Sequence, residues 1–149
     1  MDRFSIGRPS WVAYGRRMTP SRHISVSIAA TASRVYAYAA DPAQLPTWAA
    51  GLAQSAMEQV GDQWFAQSPM GRVRVAFTDA NVLGVLDHTV TLPDGEQVSN
   101  PMRVIADGAG CEVVFTVRHR PGMTDQQFDD DCRAVAADLD TLRALQEHP

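Results

Sequence analysis

Residues 124–147 carry the most regular hydrophobic signal in the chain. Phe128, Cys132, Val135, Leu139 and Leu142 recur every three or four residues, while Asp125, Asp129, Asp130, Arg133, Asp140 and Arg143 cover most of the other faces. That spacing draws one apolar stripe along a helix of about 24 residues, roughly 36 Å long at ~1.5 Å per residue. Thr124, followed three residues later by Gln127, forms a capping-box signature at its start, and the acidic first turns suit the helix dipole.

Ahead of this helix the apolar positions switch to a period of two. Residues 23–28 alternate with Ile24, Val26 and Ile28 on one face, which predicts a strand. Thr31 or Ser33 then caps a short helix carrying Val35, Tyr36 and Tyr38. Asp41-Pro42 closes it and opens a second short helical stretch with Leu45, Trp48 and Leu52. Strands are predicted over 55–60, 63–68, 72–78, 82–92, 96–106 and 111–120. Gly61-Asp62, Ser68-Pro69-Met70-Gly71, Pro93-Asp94-Gly95 and Asp107-Gly108-Ala109-Gly110 supply turn chemistry between them. The order is strand, two short helices, six strands, long helix. It predicts an α+β helix-grip fold, a seven-stranded curved antiparallel sheet around a long C-terminal helix.

The turns also set register. Leu92-Pro93-Asp94-Gly95-Glu96 fits a three-residue hairpin loop, which pairs Val90 with Val98, His88 with Asn100 and Leu86 with Met102 on one face. The other face carries Thr91 with Gln97, Thr89 with Ser99, and Asp87 near Arg103. Whether the next loop has two residues or four, Val113, Phe115, Val117 and His119 share the inner face, as do Val73, Val75 and Phe77 on an earlier strand. His88, Asn100 and His119 are therefore expected as a polar node in an apolar wall that includes Trp48, Phe77, Met102, Phe115 and Phe128. These eight are the candidate ligand-binding residues; no catalytic residue is assigned. Pro101 interrupts a strand that should be central, and a bulge there would displace Met102 and turn Arg103 inward. Asp131 and Asp138 border the helix stripe and are expected at its solvated edge.

Composition narrows the chemistry. The 149 residues, 45% apolar and 20% charged, suit one domain with a substantial core. All 13 basic residues are arginine, so lysine Schiff bases, pyridoxal-phosphate anchors and Walker-type phosphate loops are excluded. GxSxG, HExxH and GxGxxG patterns are absent, and no cofactor is expected. Two cysteines and four scattered histidines lack ligand spacing, so no metal is expected either. Cys111 and Cys132 read as buried reduced thiols. Arg3, Arg8, Arg16, Arg17 and Arg22 face Asp2 alone in the first 22 residues, although the net charge is −4. The reading is a basic, disordered leader over 1–21 (Met18 leaves open a later start) and a domain over 22–149. The acidic remainder disfavours nucleic acid as a partner. With no apolar run long enough to span a membrane and no secretion signal, the expected location is cytoplasmic, as monomer or homodimer.

Several stretches carry a resemblance. Val35-Tyr36-Ala37-Tyr38 followed by Asp41-Pro42 and Leu45-Pro46-Thr47-Trp48, then Leu86-Asp87-His88, Leu92-Pro93-Asp94-Gly95, Asn100-Pro101-Met102-Arg103, Arg120-Pro121-Gly122-Met123 and Asp138-Leu139-Asp140-Thr141-Leu142, together resemble the Bet v 1-like or START-like superfamily of polyketide cyclases and lipid-transport proteins. The resemblance covers about residues 22–147 and implies a small hydrophobic ligand, of lipid, polyketide or aromatic type, between sheet and helix. No established catalytic motif of the superfamily is matched. A cyclase or dehydratase-like enzyme in the same cavity, and a protein-interaction module with a filled core, stand as alternatives.

Overall fold

The computed structural model describes residues 20–149, so the expected leader falls outside the described residues except for its last two positions. The chain opens with β1 (Ser21–Ile28) and α1 (Ala32–Ala39), the latter capped by the Thr31 hydroxyl. A single 3-10 turn follows over Pro42–Gln44, capped by the Asp41 carboxylate, and leads into α2 (Leu45–Trp48). The remaining strands are β2 (Glu58–Val60), β3 (Gln63–Ser68), β4 (Gly71–Phe77), β5 (His88–Thr91), β6 (Gln97–Asn100), β7 (Met102–Asp107) and β8 (Gly110–Arg118). The chain ends in α3 (Asp125–Glu147), whose Thr124–Gln127 capping box is formed in both directions.

All strand pairs are antiparallel, in two ladders ordered β2-β3-β4-β5-β6 and β1-β8-β7. Among the described residues the expected sheet has eight strands instead of seven, because Pro101 divides the predicted strand over 96–106. The β5–β6 register is the one the turn dictates: Val90 faces Val98 and His88 faces Asn100, with Gly95 at φ 89° in the loop. The same register resumes beyond the proline, where Val85 bridges Arg103 and the Leu86 amide donates to the Met102 carbonyl at 2.9 Å. No bulge forms. Met102 is buried, and Arg103 stays outside, paired with Asp87.

What the proline breaks is the contact on its other side. Its carbonyl accepts from the Thr116 amide at 2.9 Å, but it has no N–H with which to return the bond. The β7–β8 ladder therefore stops at Met102–Phe115 and does not extend into β6. Beyond that point β6 and β8 belong to separate ladders.

The predicted strand over 82–92 is likewise shorter, and its first half is a loop. The Asn81 side chain accepts from the Leu83 and Val85 amides and donates to the Asp79 and Val85 carbonyls, taking the place of ladder partners. The next hairpin has a two-residue loop, with Asp107 opposite Gly110.

On the concave side α3 packs across β1 and β8, with Phe128, Cys132, Leu139 and Leu142 buried. Burial of each large side chain of this kind stabilises the fold by about 1.5–3 kcal/mol. The core continues through Ile28, Val35, Leu45, Leu86 and Val113.

Gly84 is the tightest point of the loop that joins the two ladders. It sits at φ 72°, its carbonyl accepts from the Val104 amide, and a β-carbon there would collide with the Val104 carbonyl oxygen. Gly84→Ala is expected to destabilise the protein by about 2–4 kcal/mol, read as a lower denaturant midpoint. An unchanged midpoint would mean this junction is not tightly packed.

Candidate functional site

The separation of β6 from β8 leaves a cleft between the concave sheet and α3. Its volume is about 750 Å³. Leu45, Trp48 and Leu52 form one wall; Val90, Val98 and Phe115 line the sheet side; Val135 and Leu139 face them from the helix. Residues on both faces of β6 border the space, Gln97 and Ser99 as well as Val98 and Asn100, because it opens around the free edge of that strand.

His88 is the most enclosed polar group in the cleft, at 6% exposure. The Phe77 ring lies 4.9 Å away on one side and the Phe115 ring 5.7 Å away on another. Nδ1 is 3.0 Å from the Leu86 carbonyl oxygen, which can only accept, so the proton of the neutral ring sits on Nδ1. Nε2 is then a bare acceptor. Burial pushes the His88 pKa down, against smaller upward effects of the Leu86 carbonyl and Asp87, and the ring is held neutral. Asn100, paired with His88 across the ladder, also borders the cleft; its amide reaches the Val98 carbonyl only at 3.5 Å. Trp48 is 3% exposed, and its indole N–H has no partner among the described residues.

Two acids from α3 complete the lining. Burial raises the Asp138 pKa to about 6, partly opposed by the Gly51 backbone amide. A β-carbon at Gly51 would stand 3.3 Å from Asp138 Oδ2, so the missing side chain there leaves the carboxylate its place. Burial also raises the Asp131 pKa, opposed by Arg120. Arg120 in turn pairs with Glu96 at 3.0 Å, linking the β5–β6 hairpin to the segment before α3.

Of the eight candidate residues, His88, Asn100, Trp48 and Phe115 border the cleft and the other four do not. His119 stands one residue beyond β8, where its amide donates to the Pro20 carbonyl. Its ring rests 5.1 Å from Phe128, with Nε2 3.0 Å from an Asp125 carboxylate oxygen. It is therefore tied to the start of α3 and does not join His88. Phe128 is buried beneath the Arg22 guanidinium, 4.8 Å from its ring. Phe77 backs His88, and Met102 fills solid core. Asp138, expected at a solvated edge, belongs to the wall instead. Its sequence signal was its place directly before Leu139 in the stripe, on the side that meets α2.

Among the described residues no group of three or more His, Cys, Asp or Glu side chains is placed to hold a metal ion, and no helix is long and apolar enough to cross a membrane.

A curved antiparallel sheet that grips one long C-terminal helix over an apolar cleft defines the helix-grip, Bet v 1-like class. The family described as polyketide cyclase / dehydrase and lipid transport matches residues 21–147, and the chain belongs to it. Solved structures agree in fold. Truncated norcoclaurine synthase from Thalictrum flavum superposes with a TM-score of 0.64 at 14% identity, covering 89% of this chain and 96% of that one. The protein XoxI from Bacillus cereus gives 0.66 at 11%, covering 87% and 96%. Ara h 8.0201 gives 0.61 at 13%, covering 86% and 97%. No curated protein matches the chain.

A carboxyl group more easily protonated when folded than when unfolded favours folding below its ordinary pKa. That contribution is withdrawn as pH rises through about 6. Asp138→Asn is therefore expected to stabilise the protein at neutral pH, by on the order of 1 kcal/mol after allowing for the part of the side chain that meets solvent, with little gain near about pH 4. Thermal unfolding at the two pH values checks this; a loss of stability at neutral pH would assign Asp138 a structural role.

Proposed function

We propose that the protein binds a small, largely apolar molecule in the cleft between α3 and the concave sheet. The observation that carries this reading is an apolar space of about 750 Å³ whose wall includes His88, an enclosed ring with a free acceptor nitrogen. Binding sites for small molecules typically measure ~300–1,000 Å³ and combine apolar walls with a few placed hydrogen-bonding groups. Membership of a family of cyclases, dehydrases and lipid carriers supports a lipid, polyketide or aromatic ligand. An open space of this size speaks against an interaction module with a filled core.

A fluorescent apolar probe is expected to bind with one-to-one stoichiometry and to be displaced by the natural ligand. Val135→Trp, which pushes a large ring into the cleft from α3, should abolish probe binding while leaving the circular dichroism spectrum unchanged. Full binding in that variant would place the probe elsewhere and count against the cleft. Native mass spectrometry of protein purified from its host would reveal a co-purified ligand directly.

A second reading is supported by the two titratable groups in the wall. A neutral His88 and an Asp138 with a pKa near 6 are suited to moving a proton on a bound carbonyl compound. Turnover of such a compound, with a pH–rate profile altered in both His88→Ala and Asp138→Asn, would establish enzymatic activity. Tight binding without turnover would leave the protein a carrier.

A further inference from the structure

The charged groups around the cleft are unevenly matched. At the mouth, Arg120 is paired with Glu96 at 3.0 Å and also acts on Asp131. Asp138 lies seven residues further along α3, about 10 Å along the helix axis at ~1.5 Å per residue, and no ion pair reaches it among the described residues. It is nonetheless seated, with its carboxylate against Gly51, where an added β-carbon would stand 3.3 Å from Oδ2. The other titratable or charged groups bordering the space are His88 on β5, Glu96 on the hairpin, Arg118 and Arg120 at the end of β8, and Asp131 on the same helix; the α2 wall contributes none. Arg118 is exposed on the strand edge, and His88 offers an acceptor. The cleft thus presents a carboxylate and an acceptor nitrogen, with the Trp48 indole N–H as a neutral donor and no protein cation paired with the carboxylate among the described residues.

We propose that the ligand carries a basic nitrogen on its apolar body and that Asp138 is the carboxylate that pairs with it. This rests on the ligand-binding reading above and narrows the ligand class. A neutral hydroxyl could also donate to Asp138. A protonated amine does more, because it makes the same charge-assisted hydrogen bond and in addition cancels a partly desolvated charge that the hydroxyl leaves in place. The His88 Nε2 acceptor is left for a second donor on the same molecule. Because the amine pairs with the ionised carboxylate, lowering the pH through about 6 sets protonation of Asp138 against binding.

The test uses naphthylethylamine and its uncharged counterpart naphthylethanol as probes of matched size. Calorimetry on the full chain compares wild type with Asp138→Asn and Asp131→Asn. Wild type is expected to bind the amine about tenfold more tightly than the alcohol at about pH 7. Amine affinity should fall about tenfold between about pH 7 and pH 5, as a carboxyl of pKa about 6 requires. Asp138→Asn should bind both probes alike, with that pH dependence gone; Asp131→Asn should keep the preference for the amine. Equal binding of the two probes by wild type would overturn the amine assignment and leave the cleft reading standing. Binding of neither would overturn both. An amine preference that survives Asp138→Asn, or that disappears in Asp131→Asn, would overturn the role given to Asp138.

Discussion

Pro101 lacks the one hydrogen-bond donor that would close the sheet. A regular residue there would exchange two bonds with Thr116 and extend the β7–β8 ladder into β6. The proline accepts one and can return none. Because that missing donor faces β8, the β5–β6 pairing on the opposite side is undisturbed, and His88 remains opposite Asn100. The concave surface therefore stays continuous in register while its edge opens. α3 follows only one of the two ladders. It packs on β1 and β8, and the space left beside β5 and β6 becomes the cleft.

Within that space the polar groups follow from what each can satisfy locally. His88 spends its proton on the Leu86 carbonyl, two residues away on its own strand, so its free nitrogen can only accept. Asp138 has a single backbone amide beside it, which offsets only part of the cost of burial. Trp48 has an N–H and no acceptor. A well-packed core satisfies nearly all such groups, and leaving one unpaired costs about 1–3 kcal/mol. The Trp48 N–H, the His88 acceptor and the partly satisfied Asp138 carboxylate come from three different elements around the cleft, a pattern that a ligand with complementary groups would resolve.

Much of this was legible in the sequence where the determinants are local. The Pro93-Asp94-Gly95 turn dictates the hairpin register, and with it the placement of His88 and Asn100. The stripe from Phe128 to Leu142 and the Thr124 cap define α3. Determinants that act over distance were not legible. Val82, Val85 and Leu86 read as part of a strand because their periodicity carries no trace of Asn81, whose side chain supplies the hydrogen bonds a neighbouring strand would have made. Val82 is in fact fully exposed. His119 was projected inward by extending an alternation one residue past the end of β8, where the chain has already turned toward α3. Asp138 looked solvated because its enclosure depends on Gly51, 87 positions away in the chain.

His88 is enclosed between the Phe77 and Phe115 rings at the cleft, and its state can be measured directly. Nitrogen-detected NMR of its imidazole across the range of about pH 8 to pH 5 reports protonation state and tautomer together. The expected result is a neutral ring with its proton on Nδ1, a pKa below the ordinary histidine value, and an Nε2 resonance that shifts when an apolar ligand is added. An ordinary titration near 6.5, with the opposite tautomer or an Nε2 signal indifferent to ligand, would contradict it.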